Sequence, residues 1–72
     1  MEELIDRIEN WADNKNLLKK ELSPKQYLKF LEEVGETARA ILKEDREEVI
    51  DGLGDIGVTI IILAKQLDVK LE

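Results

Sequence analysis

Cysteine and histidine are absent from this sequence, and proline, tryptophan, tyrosine and phenylalanine occur once each among its 72 residues. The chain therefore cannot form a disulfide or use a thiolate nucleophile, and it lacks the ligands of the usual zinc sites. A domain of this length buries only about 60% of the surface that its unfolded chain exposes, so it ordinarily needs a disulfide, a metal ion or a partner. An oxygen-ligated metal and self-association are the two means of stabilisation that remain.

Basic residues are outnumbered, because 17 aspartates and glutamates stand against 11 lysines and arginines, which gives a formal charge of −6. Nucleic acids and anionic membranes select basic surfaces, so neither is an expected partner. The apolar run at residues 56–64 is too short to cross a bilayer, which takes about 20 residues. No signal peptide is recognisable at the N-terminus. We therefore expect a cytoplasmic protein that forms one domain over residues 1–72.

Hydrophobic periodicity predicts a first helix over residues 2–14 and a second from Ser23 to about Leu42 or Lys43. Ser23 is the expected N-cap of the second helix, because Pro24 follows it at the first helical position and Gln26 stands three residues after the cap. The apolar side chains of this helix recur at helical spacing, and we expect them to form its buried stripe: Tyr27, Phe30, Leu31, Val34, Ala38, Ile41 and Leu42.

A third helix is predicted over residues 45–67, where Asp45 is the N-cap and Glu48 completes a capping box. From Ile56 to Ala64 the pattern is apolar almost all round, which indicates a helix buried on every side. The alternative is a buried strand over residues 56–63, but the chain offers no second strand to pair with it. The short link at residues 43–45 makes the second and third helices antiparallel. The expected fold is an all-α, three-helix chain with a long antiparallel hairpin.

Self-association is expected because a monomer of this kind would expose the face formed by Ile60, Ile61 and Ile62. We predict a homo-oligomer, either a dimer or a tetramer, in which the helices of different copies form a four-helix-bundle core. Gly52, Gly54 and Gly57 interrupt the third helix, and each costs about 0.5–1 kcal/mol of helix stability relative to alanine. We expect them to let another backbone, or a ligand, approach closely.

Five carboxylates are predicted to face one another across the hairpin: Glu32, Glu33 and Glu36 on the second helix, and Asp51 and Asp55 on the third. Residues three and four apart share one side of a helix, and the short link brings position 36 to the height of positions 51 and 52. Buried like charges repel each other unless a cation neutralises them, and Mg²⁺ or Mn²⁺ takes oxygen ligands. The spacing therefore indicates a divalent-metal site. The alternative is an ordinary solvated face, as we expect for the nearby glutamates Glu44, Glu47 and Glu48.

These acidic segments resemble those of the MazG-like, all-α nucleoside triphosphate pyrophosphohydrolases. That superfamily carries a Glu-Glu-x-x-Glu segment on one helix and a Glu-x-x-Asp segment on the next. The first segment is complete here as Glu32-Glu33-Val34-Gly35-Glu36. The second corresponds to Asp51-Gly52-Leu53-Gly54-Asp55, in which Gly52 stands where the family has Glu. Asp51, one residue earlier, is the natural substitute for that Glu. The segment Glu48-Val49-Ile50-Asp51 also spells Glu-x-x-Asp, but no Gly-Asp phrase follows it.

The resemblance extends over about residues 5–68 and is closest to the short phage-type members of the superfamily. It implies Mg²⁺-dependent attack of water on the α-phosphate of a nucleoside triphosphate, which releases the monophosphate and pyrophosphate. The implied metal ligands are Glu33, Glu36, Asp51 and Asp55, and Glu32 is the implied catalytic residue, which holds or deprotonates the attacking water. The residues that would contact the substrate are Gln26, Lys29 and Trp11.

Several alternatives stay open at the level of sequence. The alternative to substrate contact for Trp11 is a role as an anchor in a core or an interface. For Gln26 and Lys29 the alternative is a position on a solvated surface. The whole chain would also suit a structural helical dimerisation module without metal dependence, or a degenerate relative that binds metal or nucleotide without turnover. Members of the superfamily complete the site with a further helix or with a second subunit. The chain is therefore expected either to be truncated at its C-terminus or to dimerise.

Overall fold

A computed structural model describes residues 2–71, and the outermost residues of the predicted domain, Met1 and Glu72, lie outside the described part. The elements are helix α1 (Glu2–Asn14), a 3-10 turn (Lys20–Leu22), helix α2 (Ser23–Leu42) and helix α3 (Arg46–Gln66). No strand occurs between residues 2 and 71. The all-α, three-helix prediction is therefore confirmed, and the strand alternative for residues 56–63 is wrong. None of the helices in this part of the chain is long and apolar enough to cross a membrane.

The two long helices begin in different ways. Asp45 is extended and accepts a hydrogen bond from the Glu48 backbone N–H at 3.2 Å, so the predicted N-cap of α3 is confirmed. The prediction that Ser23 caps α2 is wrong. The 3-10 turn continues straight into α2, so Ser23 already has helical dihedral angles and its N–H donates to the Lys20 carbonyl. Leu22 is the flanking residue instead, while Pro24 lies in the first turn as expected.

Helices α2 and α3 form the predicted antiparallel hairpin. The Gln26 side chain donates to the Thr59 carbonyl at 3.5 Å, and further along α2 Thr37 lies against Gly52. Later residues of α2 therefore contact earlier residues of α3, as an antiparallel arrangement requires. The link between the helices includes Glu44 in the left-handed region, with φ of 59°, which lets the chain reverse direction within three residues.

The core of the single chain is small and lies mainly on α3. Helix α1 packs on α3, and Ile61 and Ile62 are buried, with 8% and 4% of their surface exposed. The Gln66 side chain donates to the Leu17 carbonyl at 2.6 Å and thereby ties the loop after α1 to the end of α3. The prediction that a monomer exposes the face of residues 60–62 is consequently wrong for Ile61 and Ile62, because their own chain covers them; only Ile60 remains exposed.

The apolar stripe predicted to be the core of α2 faces outward instead. Thr37 and Ala40 are the buried residues of α2, whereas large apolar side chains of the expected stripe stay exposed. Small residues occupy the face toward α3 because the two helices approach closely there. Exposed residues at helical spacing therefore remain on both helices, and we call them the apolar flank: Tyr27, Leu31, Val34, Ala38 and Ile41 on α2, and Ile50, Leu53, Gly57 and Ile60 on α3.

Candidate functional site

A cleft of about 320 Å³ runs between α2 and α3. Its walls carry charged side chains from both helices because residues spaced by three, four and seven positions share one side of a helix. We call it the carboxylate cleft; it is lined by Glu33, Glu36, Thr37, Arg39 and Lys43 of α2 and by Glu48, Asp51, Gly52 and Asp55 of α3. The cleft lies on a different face of each helix from the apolar flank.

Glu33 and Asp55 meet across the cleft. Burial raises the pKa of Glu33 above its ordinary value, and a hydrogen bond to Asp55 and the negative charges of Asp55 and Glu36 raise it further. Lys29, whose Nζ lies 3.7 Å from Glu33 Oε1, acts in the opposite direction. Glu33 and Asp55 thus bring two acids from neighbouring helices to one point of the cleft, where a cation would be held by both.

The helices touch at Gly52 and Thr37. A Cβ atom at position 52 would overlap the Thr37 hydroxyl and would lie 3.1 Å from Thr37 Cβ and 3.3 Å from Thr37 Cγ2. The Thr37 hydroxyl donates to the Glu33 carbonyl at 2.7 Å and is buried, which fixes the obstacle in place. The close approach expected of the glycines is therefore confirmed at Gly52. At Gly54 and Gly57 an added Cβ would meet nothing of the described chain within 4 Å, so no close approach within this chain accounts for these two glycines.

Four of the five carboxylates predicted for the metal site line this cleft, namely Glu33, Glu36, Asp51 and Asp55. The fifth, Glu32, is exposed and does not line it. Conversely, Glu48, which we expected to be an ordinary solvated glutamate, is a lining residue. Its spacing from Asp51 and Asp55 is three and seven residues, so helical periodicity alone was enough to place it on their side of α3.

The carboxylates of the described residues share a cleft without forming a compact ligand cluster: no group of three acidic side chains between residues 2 and 71 is close enough to hold a metal ion. The expected convergence of five acids is therefore not seen. Uncompensated carboxylates repel one another, which disfavours a closer cluster in the absence of a cation. The donor set nevertheless fits a hard divalent cation, because every acidic side chain in the cleft offers oxygen ligands and both helices contribute.

The predicted substrate-contacting residues lie at different distances from this cleft. Lys29 borders it through its ion pair with Glu33, and Gln26 lies one turn before Lys29, where it bonds to Thr59 of α3. Trp11 does not line the cleft. Its ring is half-exposed on α1, with Lys15 Nζ 5.7 Å from the ring centroid, so it is not a core residue of the single chain.

Comparison with known proteins identifies the family to which this hairpin belongs. The sequence model of the MazG nucleotide pyrophosphohydrolase domain matches residues 22–72, which include all of α2, α3 and the carboxylate cleft. The chain belongs to the MazG family. The resemblance noted in the acidic segments is thereby confirmed, and the family is one of nucleotide-hydrolysing enzymes.

A phage protein aligns with this MazG domain over its whole length. The uncharacterized 18.2 kDa protein in the rep-hol intergenic region of Haemophilus phage HP1 (strain HP1c1) is 38% identical to it over 74 aligned positions. The alignment covers 100% of this chain but 45% of the phage protein, so the chain spans less than half the length of this relative. No solved structure matches the chain significantly.

The departure from the MazG motif has a structural counterpart. Gly52 stands where the second acidic segment of the family carries Glu, and Thr37 fills the space next to it. A glutamate could not enter at position 52 without displacing one helix from the other. Asp51 and Glu48 flank this position in the cleft and are the acids on α3 that precede Asp55.

Proposed function

We propose that this MazG domain hydrolyses a nucleoside triphosphate to the monophosphate and pyrophosphate in the carboxylate cleft, with Mg²⁺ as its cofactor and Mn²⁺ as a substitute. The observation that carries the proposal is the contact between Glu33 and Asp55, one acid from each motif helix, in a cleft that also holds Glu36 and Asp51. Membership of the MazG family supports the same reaction class.

Four acids are the proposed metal ligands: Glu33, Glu36, Asp51 and Asp55. Bound Mg²⁺ supplies positive charge, which neutralises the carboxylates, admits the triphosphate and stabilises the charge that develops on it. A metal ligand must be ionised, and the raised pKa of Glu33 disfavours its ionised form, so we expect metal binding to be coupled to the titration of Glu33. Both helices of the antiparallel hairpin contribute proposed ligands to the same cleft.

Glu32 is the proposed catalytic residue, which orients the attacking water and accepts its proton. Its exposed position outside the cleft lining suits a residue that meets a water molecule at the rim rather than a metal ion inside. Gln26 and Lys29 are proposed to contact the nucleoside end of the substrate, because they lie along the hairpin beyond Glu33 and Asp55. Trp11 is proposed to stack on the base from α1.

We also propose that a second copy of the chain covers the apolar flank. The flank follows helical spacing on both α2 and α3, and Leu53 and Tyr27 within it are 58% and 50% exposed. Two copies related by a twofold axis would pack four helices around these side chains. Gly57 lies within the flank with open space at its Cα, which would let the partner's backbone approach closely.

Calorimetric titration tests the metal site. Mg²⁺ and Mn²⁺ would be titrated into the protein with and without a non-hydrolysable deoxynucleoside triphosphate analogue, and the same would be done for Asp55→Asn. The matched control is Glu47→Gln, since Glu47 lies on α3 but does not line the cleft. We expect binding to the parent and the control and its loss in Asp55→Asn. No binding to the parent in either condition would leave the structural dimerisation module as the better description. Binding without pyrophosphate release would identify a relative that has lost turnover.

A further inference from the structure

Two cationic side chains, Arg39 and Lys43 of α2, line the carboxylate cleft. They have no role in the acidic motifs, and sequence analysis assigned them none. Within residues 2–71 neither cation has a carboxylate partner within 4.0 Å, since the ion pair found in this part of the chain joins Lys29 to Glu33. A structural role as counterions of the cleft acids is therefore not what their geometry shows. Their donors remain available to an anion.

On α2 the sign of the charge changes along the cleft, while Glu48 of α3 also lines the cleft at the end near the interhelical link. Glu33 and Asp55 are in contact at one end, and Glu36 follows on α2. Arg39 and Lys43 come one and two turns after Glu36, about 5 and about 10 Å farther along the helix axis. The acids would hold a cation at the first end, and the two basic groups would attract an anion at the end near the interhelical link.

Toward the opposite end of the groove, the polar side chains of Lys29 and Gln26 already have partners within the described chain. The Lys29 ammonium there is already paired with Glu33, and the Gln26 amide donates to the Thr59 carbonyl. A triphosphate has a direction, because its terminal phosphates carry most of its negative charge and its nucleoside carries little. The orientation that points the terminal phosphates toward the interhelical link brings that charge to the two cations that line the cleft, Arg39 and Lys43.

We propose that Arg39 and Lys43 bind the β- and γ-phosphates of the substrate, and hence the pyrophosphate leaving group; this inference rests on the proposed function. In the reaction the water oxygen forms a bond to the α-phosphorus and the bond from that phosphorus to the bridging oxygen breaks. The electron pair of the broken bond stays on pyrophosphate, and the water proton passes to Glu32. The guanidinium fork of Arg39 then faces the charge that develops on the leaving oxygens.

Inorganic pyrophosphate is the probe that isolates this subsite. It would be titrated calorimetrically, in the presence of Mg²⁺, into the parent protein and into Arg39→Gln and Lys43→Gln. Arg7→Gln and Lys25→Gln are the matched controls, because each removes an exposed cation that does not line the cleft. We expect each cleft variant to bind pyrophosphate about tenfold more weakly, as loss of a charged hydrogen bond implies. Affinity for a nucleoside monophosphate should stay within about twofold of the parent value.

Arg39→Lys keeps the positive charge but removes the guanidinium fork, so it distinguishes the contribution of the charge from that of bidentate hydrogen bonding. Circular dichroism verifies that each variant is folded. We expect the lysine variant to fall between the parent and Arg39→Gln in pyrophosphate affinity. Unchanged pyrophosphate affinity in both glutamine variants would overturn the proposal, as would an equal loss of monophosphate affinity or a parent protein that does not bind pyrophosphate.

Failure of this inference is distinguishable from failure of the proposed function. Triphosphate hydrolysis by the parent with unchanged kcat/KM in Arg39→Gln and Lys43→Gln would reject the subsite and leave the reaction standing. Pyrophosphate binding that depends on Arg39 in a protein without turnover would reject the reaction and leave the subsite standing.

Discussion

Gly52 of α3 lies so close to Thr37 of α2 that any side chain at position 52 would overlap the Thr37 hydroxyl. This contact sets the distance between the two helices that carry the acidic segments. The buried Thr37 occupies the space that the Cβ of a glutamate at position 52 would need.

Substitution of this glycine should therefore destabilise the fold. Rotation of Thr37 would break its hydrogen bond to the Glu33 carbonyl and would still leave Thr37 Cβ in a tight contact, 3.1 Å from the added atom. We expect Gly52→Ala to lower the free energy of unfolding by about 1–3 kcal/mol, the usual effect of overpacking. Gly54→Ala is the control, and it should raise stability by about 0.5–1 kcal/mol, since nothing of the described chain lies within 4 Å of its Cβ. Urea denaturation measures both, and equal effects of the two substitutions would contradict the close contact.

Stability in the absence of divalent metal should depend on the protonation of Glu33. Its pKa is raised in the folded state, chiefly by burial and then by Asp55, so the folded protein binds a proton more tightly than the unfolded chain does. Folding is therefore expected to become less stable as the pH rises from the ordinary value of 4.5 through the raised pKa. Glu33→Gln keeps a hydrogen-bond donor toward Asp55 but cannot ionise.

Thermal unfolding in EDTA at several pH values checks this expectation. Glu33→Gln should exceed the parent in melting temperature at neutral pH, and the difference should shrink as the pH falls toward 4.5. A difference that stays constant with pH would show that Glu33 does not titrate between the two conditions.

Glu48 should contribute to metal binding although it lies outside the expected register of the motif. It lines the cleft one turn before Gly52, where an acid replaces the glutamate that position 52 cannot carry. We expect Glu48→Gln to weaken Mg²⁺ affinity about tenfold, as loss of an outer-shell or direct oxygen ligand does. Glu47→Gln, on the same turn but outside the cleft lining, should leave the affinity unchanged. Calorimetric titration of Mg²⁺ into both variants tests this expectation. An equal loss of affinity in the two variants would show that the net charge of the protein, and not Glu48 itself, affects Mg²⁺ binding.

The apolar flank should govern the oligomeric state. Leu53→Glu places a charge at the middle of the flank, where the parent side chain is 58% exposed in the single chain, and should convert the oligomer to monomers. Leu4→Glu is the control, since Leu4 is similarly exposed but lies on α1 outside the flank. Light scattering gives the mass of each variant. A parent that is monomeric, or a Leu53→Glu variant with the parent's mass, would refute the self-association.

Much of the fold could be predicted because its signals are local. Asp45 caps α3 by accepting a hydrogen bond from the backbone N–H of Glu48, three residues later. The link after Leu42 is only three residues long, so α3 must run antiparallel to α2. Ser23 shows the limit of such signals, since the preceding 3-10 turn already satisfied its N–H and took over the start of α2.

The outward direction of the apolar flank could not be predicted in the same way. Periodicity states that Leu31 and Val34 share a face, but it does not state whether that face meets the same chain or another molecule. The face of α2 that packs against α3 is determined by Thr37, Ala40 and Gly52. Their small size lets the two helices approach on the face next to that of Leu31 and Val34. Contacts of this kind depend on the distance between helices, which no local pattern encodes.

The candidate site was predictable where spacing within one helix determines it. Glu33, Glu36, Asp51 and Asp55 share the cleft as helical spacing and the hairpin link required. Arg39, Lys43 and Glu48 follow the same spacing but were overlooked, because charged residues on a helix are ordinarily solvated and only the cleft sets these three apart.

The most direct test of the account is the Mg²⁺-dependent release of pyrophosphate from a panel of nucleoside triphosphates by the parent protein, Asp55→Asn, Glu36→Gln and Glu47→Gln. We expect release by the parent and by Glu47→Gln, its abolition by EDTA, and a loss of at least about a hundredfold in kcat for the two cleft variants. Both variants should remain helical and melt no lower than the parent, because each removes one of the repelling charges. Release that is indifferent to Asp55 and Glu36, or the absence of release from every triphosphate with Mg²⁺ present, would contradict the account.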